Sequence, residues 1–469
     1  MARPRTLVTL FVGLTFFATE ACVGDDAPAS APLPSPQSEG GASADSGAPP
    51  VMPGDDGAAP SDAGLDGPGD GVEGNVVDLG SLPVLNATVR IGSVTTTTDA
   101  AGQFKIPTVK VPYDIDVVSP IDPGADGTTK LVTSLRGVST RSPILHVRHT
   151  TPERRASVSG ATNLSFSGNN QRLKWGFVHP LGVPTGTASP SLKVIGPETW
   201  NSQVTWQGRP SAQGVWTFFH FTGPSISNTQ ASSFVAAHRV TGTLTDNGNV
   251  TLSTAYLSNI GTGTLAGDVT WPTEARERIV TAGAKLAAAD RAGVMYAHYT
   301  YYPVQTTYSI AAPMGGGASA LVTAIATSPN AAGVAGRTQV QTWVNVTANA
   351  AIPPFVFPSP PSITSPADAA SFAATDKITW TGGTAPYVLD VDCRGYKASI
   401  VTTANDATLP TALGTWPTSA TGCTATVTSY GKVTTVDALV GVDAPYKTTS
   451  PWAADGTMAT TTNAFTSAP

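Results

Sequence analysis

Along most of this chain, apolar residues recur at every second position in short runs separated by turn-forming residues. Leu85, Ala87, Val89 and Ile91 alternate with polar neighbours, as do residues of the 113–118 run. Period two sorts side chains onto the two faces of a strand, so these runs predict half-buried strands. Val204–Trp206 and Trp216–Phe221 read as strands that bury aromatics. Asn247-Gly248 sits between alternating runs and predicts a hairpin, because tight two-residue turns require positive φ. Asp99 and Gly102 predict a second hairpin turn on the same grounds. One stretch reads two ways. Ala275, Ile279, Ala282 and Leu286 have helical spacing, while Val280, Ala282, Ala284 and Leu286 alternate. Gly283 weakens a helix by about 1 kcal/mol relative to Ala, which favours the strand. The pattern as a whole predicts an all-β chain of tandem β-sandwich modules.

Composition narrows the class. Only 12% of the 469 residues are charged, about half the usual share, and the net charge is -6. A coiled coil or helical bundle is excluded by the scarcity of charged helix formers. The acidic balance excludes a nucleic-acid partner. The charge is also unevenly placed. Residues 23–74 are mostly Ala, Gly, Pro, Ser and Asp, with about ten acidic residues and no Lys or Arg. Such a segment cannot bury a core and is expected to be a disordered, extended tether. Removing its charge leaves the rest of the chain close to neutral. Asp62 to Glu73 has the span of a calcium loop, but the ligand positions and flanking helices are missing, so it reads as solvated linker.

The N-terminus has the form of an export signal. Arg3 and Arg5 precede an apolar run from Leu7 to Ala18, too short to span a bilayer. The boundary Thr19-Glu20-Ala21-Cys22 resembles the lipobox of bacterial lipoproteins, matching at Ala21 and Cys22 and departing at Thr19 and Glu20. The resemblance implies a signal peptide at 1–21, a lipid on the Cys22 thiol, and the membrane as a partner through that anchor. Val23 and Gly24 follow, so no Asp directly after the Cys marks inner-membrane retention, and outer-membrane or surface sorting is implied. The alternative is a plain secreted protein cut after Ala21. Cys393 and Cys423, 30 residues apart in strand-like runs, are expected to form a disulfide in an exported protein. Closing such a loop contributes about 3–4 kcal/mol in the chain-entropy account.

Four regions follow the tether (22–74). Thr98, Asp99, Gly102, Phe104 and Tyr113 fit the Thr-Asp-x-x-Gly-x-Phe and Tyr-strand pattern of carboxypeptidase-regulatory-like, or prealbumin-like, modules. This resemblance covers 75–148 and implies a seven-stranded sandwich with an accessory, non-catalytic role. Region 151–263 reads as a β-rich domain. Region 264–357 reads as a β-rich domain that is a candidate second regulatory-like module, because Gly267-Asp-Val269, Asp290 to Gly293 and Tyr308-Ser-Ile310 echo the first. Prolines 353, 354, 358, 360 and 361 then form a semi-rigid linker. Ile363 to Asp368, Ile378-Thr-Trp380 and Tyr387 to Val391 resemble the opening of immunoglobulin-like or fibronectin-like domains over 362–450. Here Trp380 precedes both Cys, unlike the immunoglobulin order. Residues 451–469 read as a Thr-rich tail.

No catalytic, cofactor-binding or metal-ligating set emerges. His146 and His149 fall on opposite faces of a strand and its exit, His220 alternates with Trp216 and Phe218, and there is no H-E-x-x-H. Gly223 to Ser227 misses the nucleophile-elbow pattern, and Gly315-Gly-Gly317 precedes no helix. Trp200, Trp206 and Trp216 are candidates for contact with a carbohydrate, against the alternative that each fills a sandwich core. The sequence therefore points to a non-catalytic, lipid-anchored envelope protein with a structural, adhesive or ligand-binding role and a carbohydrate or protein ligand. The alternatives are a carbohydrate-binding protein using exposed Trp and a secreted hydrolase with an unfamiliar site.

Overall fold

The computed structural model describes residues 71–440 apart from connecting stretches, the longer of them 121–129, 162–171, 181–191, 223–232 and 330–336, and then residues 455–468. The signal, Cys22 and nearly all of the tether lie outside the described residues. Among the described residues, every regular element except one short 3-10 turn at Asp437–Leu439 is a strand, and the 275–286 stretch forms the strand Glu277–Lys285.

Seven strands build the first module: Val72–Asp78, Thr88–Ile91, Val94–Thr97, Gln103–Ile106, Tyr113–Ser119, Lys130–Val138 and Ile144–Val147. They form two layers. In one, the first strand lies between the fourth, antiparallel, and the seventh, parallel. In the other the order is third, second, fifth, sixth, all antiparallel. Val76, Phe104, Ile106, Ile115 and Val117 fill the space between. Each such buried side chain contributes about 1.5–3 kcal/mol.

The same connectivity occurs twice more. Glu153–Ala161, Arg172–Pro180, Leu192–Val194, Thr199–Gln207, Ser211–Thr222, Ser233–Thr245 and Asn249–Thr251 form a second module. Again the first strand runs antiparallel to the fourth and parallel to the seventh, and the other layer has the order third, second, fifth, sixth. Gly261–Thr270, Glu277–Lys285, Gly293–Tyr299, Thr307–Met314, Ser319–Pro329, Arg337–Val346 and Phe355–Val356 repeat it a third time. The expected duplication is thus a triplication, and the region 151–263 holds a copy too.

The residue correspondence also differs from the sequence expectation. Gly267 pairs with Tyr308 where Gly74 pairs with Phe104, and Val269 then matches Val76. Tyr308 therefore stands in a fourth strand and matches Phe104, not Tyr113. Asp290 lies between the second and third strands, whereas Asp99 lies between the third and fourth.

Both expected hairpins are arches between layers. The strand after Asp99–Gly102 pairs with the first strand of the opposite layer, and the strand after Asn247-Gly248 pairs parallel with Glu153–Ala161. Asn247 does have positive φ, at 56°. The turn is captured by the opposite layer: Arg154 Nη1 lies 2.9 Å from Asp246 Oδ2, and the Asn247 amide donates to Arg155 O at 2.6 Å. Tight turns and arches need the same backbone, so the residue types predicted the bend but not its partner strand.

The fourth module stacks Ser362–Ser365, Lys377–Thr381 and Asp406–Thr408 against Tyr396–Thr402, Tyr387–Cys393, Cys423–Tyr430 and Asp455–Ala468. Ser371–Ala373 runs parallel to the last of these. The supposed Thr-rich tail is therefore a central strand. Its Ala459, Thr461, Asn463, Phe465 and Ser467 alternate inward and are buried. Both edges of this layer are sealed. Tyr396–Thr402 pairs parallel with the sixth strand of the first module, and Asp455–Ala468 pairs antiparallel with the sixth strand of the third. One sheet of 13 strands results. Val388, Val401, Val433, Val436 and Val440 join the first module's core. The second module instead meets the third through Phe219, Phe221 and Phe234 packed near Ala284 and Leu286.

Candidate functional site

The sequence candidates resolve differently. Cys22 lies outside the described residues. Cys393 and Cys423 form a disulfide, with Cα atoms 4.2 Å apart, and both are buried. They sit directly across two adjacent strands of one layer, since Asp392 opposes Thr424. This staple lies in a core with Tyr396, Trp416, Phe372 and Phe465.

The tryptophan expectation requires correction. Trp206 and Trp216 are each 0% exposed. They project from opposite layers of the second module into one core with Val158, Val204 and Leu244. Gly214 and Gly242 seat the Trp216 indole: a Cβ on Gly214 would stand 2.6 Å from the ring. Neither indole can stack on a sugar. Trp200, expected in a loop, lies on the strand Thr199–Gln207 opposite Gly160, and its side chain is outside the described residues.

The residues that matched the regulatory-like pattern all have structural work. Thr98 Oγ1 donates to Val84 O at 2.6 Å and accepts from the Ala87 amide at 2.9 Å. Asp99 Oδ1 accepts the amides of Ala101 and Gln103 at 2.9 and 2.8 Å, fixing the arch. Gly102 has φ +72°, and a Cβ there would meet Val76 O at 2.5 Å. Tyr113 donates its hydroxyl to Thr140 O at 2.6 Å. Burial, then the nearby Asp437 carboxylate, pushes this phenol well above its ordinary value.

A buried ionic group marks the seam between first and fourth modules. Register places Arg90 opposite Asp116 and Asp116 opposite Ser134. Arg90 Nη2 lies 2.7 Å from Asp116 Oδ2, Arg136 Nη2 lies 3.0 Å from Oδ1, and Ser134 Oγ donates to Oδ1 at 2.5 Å. These three groups hold the Asp116 side chain in place within the first module. Tyr396 is buried nearby, and burial followed by the Asp116 charge raises its phenol. Asp437 clips the same seam by accepting the amides of Ser139 and Thr140 at 2.9 and 3.3 Å. Among the described residues, no three His, Cys, Asp or Glu side chains converge as metal ligands. His146 and His220 are both buried in strands.

An open concavity of mixed polar and apolar lining, which sequence reading missed, lies on the third module. It has a volume of about 430 Å³, and Asp268, Thr270, Trp271, Thr273, Arg278 and Thr306 line it. Trp271 follows the first strand, donates Nε1–H to Gln305 O at 2.7 Å, and stacks on Phe357 with ring centroids 5.5 Å apart. Asp268, Thr270, Thr273 and Thr306 are exposed. The available signal was a Trp-Pro pair at a strand exit, away from the 200–216 cluster.

No protein family matches the chain, and neither does any curated protein. Among solved structures it is similar to the Bacillus anthracis TIE protein, at 9% identity over 62% of this chain and 47% of that one, with a TM-score of 0.15. The chain thus covers under half the length of that protein. It is similar to a Ca2+-stabilized adhesin that helps an Antarctic bacterium reach out and bind ice, at 14% identity over 85% of this chain and 99% of that one, with a TM-score of 0.15. A Streptococcal ancillary pilin is similar at 7% identity over 54% and 89%, with a TM-score of 0.13. TM-scores of this size describe no shared overall superposition.

Proposed function

We propose that this chain is an exported cell-envelope lipoprotein whose body is a non-catalytic, structural or adhesive β-assembly at the cell surface. The observation that supports it best is the body itself: one sandwich topology three times over, with two copies joined to the edges of a disulfide-stapled fourth module. Such construction favours a rigid display element, because each inter-module strand pair replaces an exposed edge with a hydrogen-bonded ladder. The disulfide suits an oxidising compartment. The seam carboxylate is held by Arg90, Arg136 and Ser134 and serves packing. On this reading Cys22 carries the lipid, residues 23 to about 70 are the tether, and the first module is regulatory-like in the accessory sense. Mass spectrometry of the mature N-terminus, with and without globomycin, tests the anchor. A diacylglyceryl-modified Cys22 is expected, with precursor accumulating under the drug. An unmodified N-terminus would reduce the reading to a secreted protein. Protease shaving of intact cells tests display: loss of the body from whole cells is expected, and complete protection would contradict it.

A further inference from the structure

The first and third modules share a frame but differ at one place, and the difference opens a site. The Val76 amide donates to Gly102 O at 2.8 Å, and the Val269 amide donates to Thr306 O at 2.7 Å. These bonds align the two copies residue by residue. In the first copy the chain fills the space above this point. Pro83 bridges back to Val77, and a Cβ on Gly102 would stand 3.1 Å from the Pro83 side chain. In the third copy Thr306 stands where Gly102 was and Trp271 where Asp78 was. The space is open and lined by groups of mixed chemistry.

We infer that this groove is a binding site for a neutral saccharide. Trp271, half-buried with one indole face stacked on Phe357, lines the groove with the rest of the ring, whose electron-rich surface attracts the polarised C–H groups on one face of a pyranose. Thr270, Thr273 and Thr306 place hydroxyls around it, which can both donate to and accept from sugar hydroxyls. Asp268 and Arg278 add an acceptor and a donor of opposite charge, so the groove carries little net charge and does not select an ion. Its volume lies within the range of small-molecule sites. Trp271 is already held by its bond to Gln305 O and by the Phe357 ring, so little side-chain entropy is lost on binding. The groove does not depend on the lipid anchor.

The test is calorimetric titration of the mature chain with short oligomers of glucose, N-acetylglucosamine, mannose and galactose, with tryptophan fluorescence in parallel. One of these classes is expected to bind. Trp271→Ala should weaken binding by about tenfold or more. Asp268→Asn and Thr306→Val, both at exposed positions, should weaken it by smaller factors with unchanged circular dichroism. Those two variants decide the matter if Trp271→Ala does not fold. The inference is overturned if no oligomer binds, or if the folded variants bind as tightly as the parent chain.

Discussion

In the first module Phe104 lies over Gly74, and in the third Tyr308 lies over Gly267 at the same register position. Both rings are buried, and both glycines leave the space the ring occupies. Around this shared pair the copies diverge. The first closes its arch with Asp99 and Gly102 and is tied to the fourth module by the pairing of Lys130–Val138 with Tyr396–Thr402 and by Asp437. The third leaves a groove and is tied to the fourth module through the Thr-rich last strand. The frame is fixed by layer order and a few core contacts, which leaves the arches free to diverge.

Several substitutions would break or sharpen this comparison. The largest effect is expected from Phe104→Ala, which should cost about 3–5 kcal/mol in denaturant unfolding. A cost below about 1 kcal/mol would mean Phe104 is not a core residue. Next, Gly74→Ala should cost about 1–3 kcal/mol and exceed Gly267→Ala. A Cβ at Gly74 meets both the Phe104 ring and the Pro143 backbone oxygen, at 2.7 and 2.6 Å, whereas at Gly267 its nearest neighbours are all atoms of the Tyr308 side chain. Equal costs would deny that contrast. Smaller still, Tyr113→Phe should lose about 1 kcal/mol with its bond to Thr140 O, while Tyr308→Phe should be neutral or slightly stabilising. The Tyr308 hydroxyl is buried without a hydrogen-bond partner.

The ionisable groups supply a pH comparison. Burial is the main cause that raises the phenols of Tyr113, Tyr308 and Tyr396, helped by Asp437, Asp268 and Asp116 respectively. A raised folded value means the neutral form is favoured in the native state. Its stability is fully present below the ordinary tyrosine value of 10.0 and is lost as pH rises above it. Thermal melts should therefore fall steeply above about pH 10, and Tyr308→Phe should blunt that fall. Asp246, in the second module, behaves oppositely. Desolvation pushes its carboxyl up, but the Arg155 amide and the Arg154 guanidinium outweigh this and hold it below 3.8. Its contribution is present above that value and lost as pH falls through the lower folded one. Asp246→Asn should flatten the acid limb slightly, and an unchanged acid limb would argue against the pairing.

Much of this architecture was legible in the sequence. Alternation at Val89, Ile91 and Val117 gave strands because each faces a single core. Thr98, Asp99 and Gly102 marked a bend, though not the strand it leads to, because Thr98 and Asp99 bond specific backbone atoms and Gly102 supplies the positive φ. The pairing of Cys393 with Cys423 followed from two strand-like runs in an exported chain. What stayed hidden depends on contacts between distant segments. The triplication is invisible because layer order leaves few residue constraints beyond pairs such as Gly267 and Tyr308. The Thr-rich end gave little sign of a strand because, Phe465 apart, its buried positions Ala459, Thr461, Asn463 and Ser467 are small or polar, the last three satisfied by the carbonyls of Pro361, Pro366 and Ala420. Trp206 and Trp216 could not be placed inside or out until the opposite layer was known, and the groove at Trp271 depends on which arch it faces.

Hydrogen–deuterium exchange of the intact chain tests most directly whether the fourth module locks the other two. The amides of Lys130–Val138 and Arg337–Val346 that face Tyr396–Thr402 and Asp455–Ala468 should exchange as slowly as those of the module cores. Rapid exchange along either sixth strand, with the module cores still protected, would mean that its outer edge is free and would contradict the account.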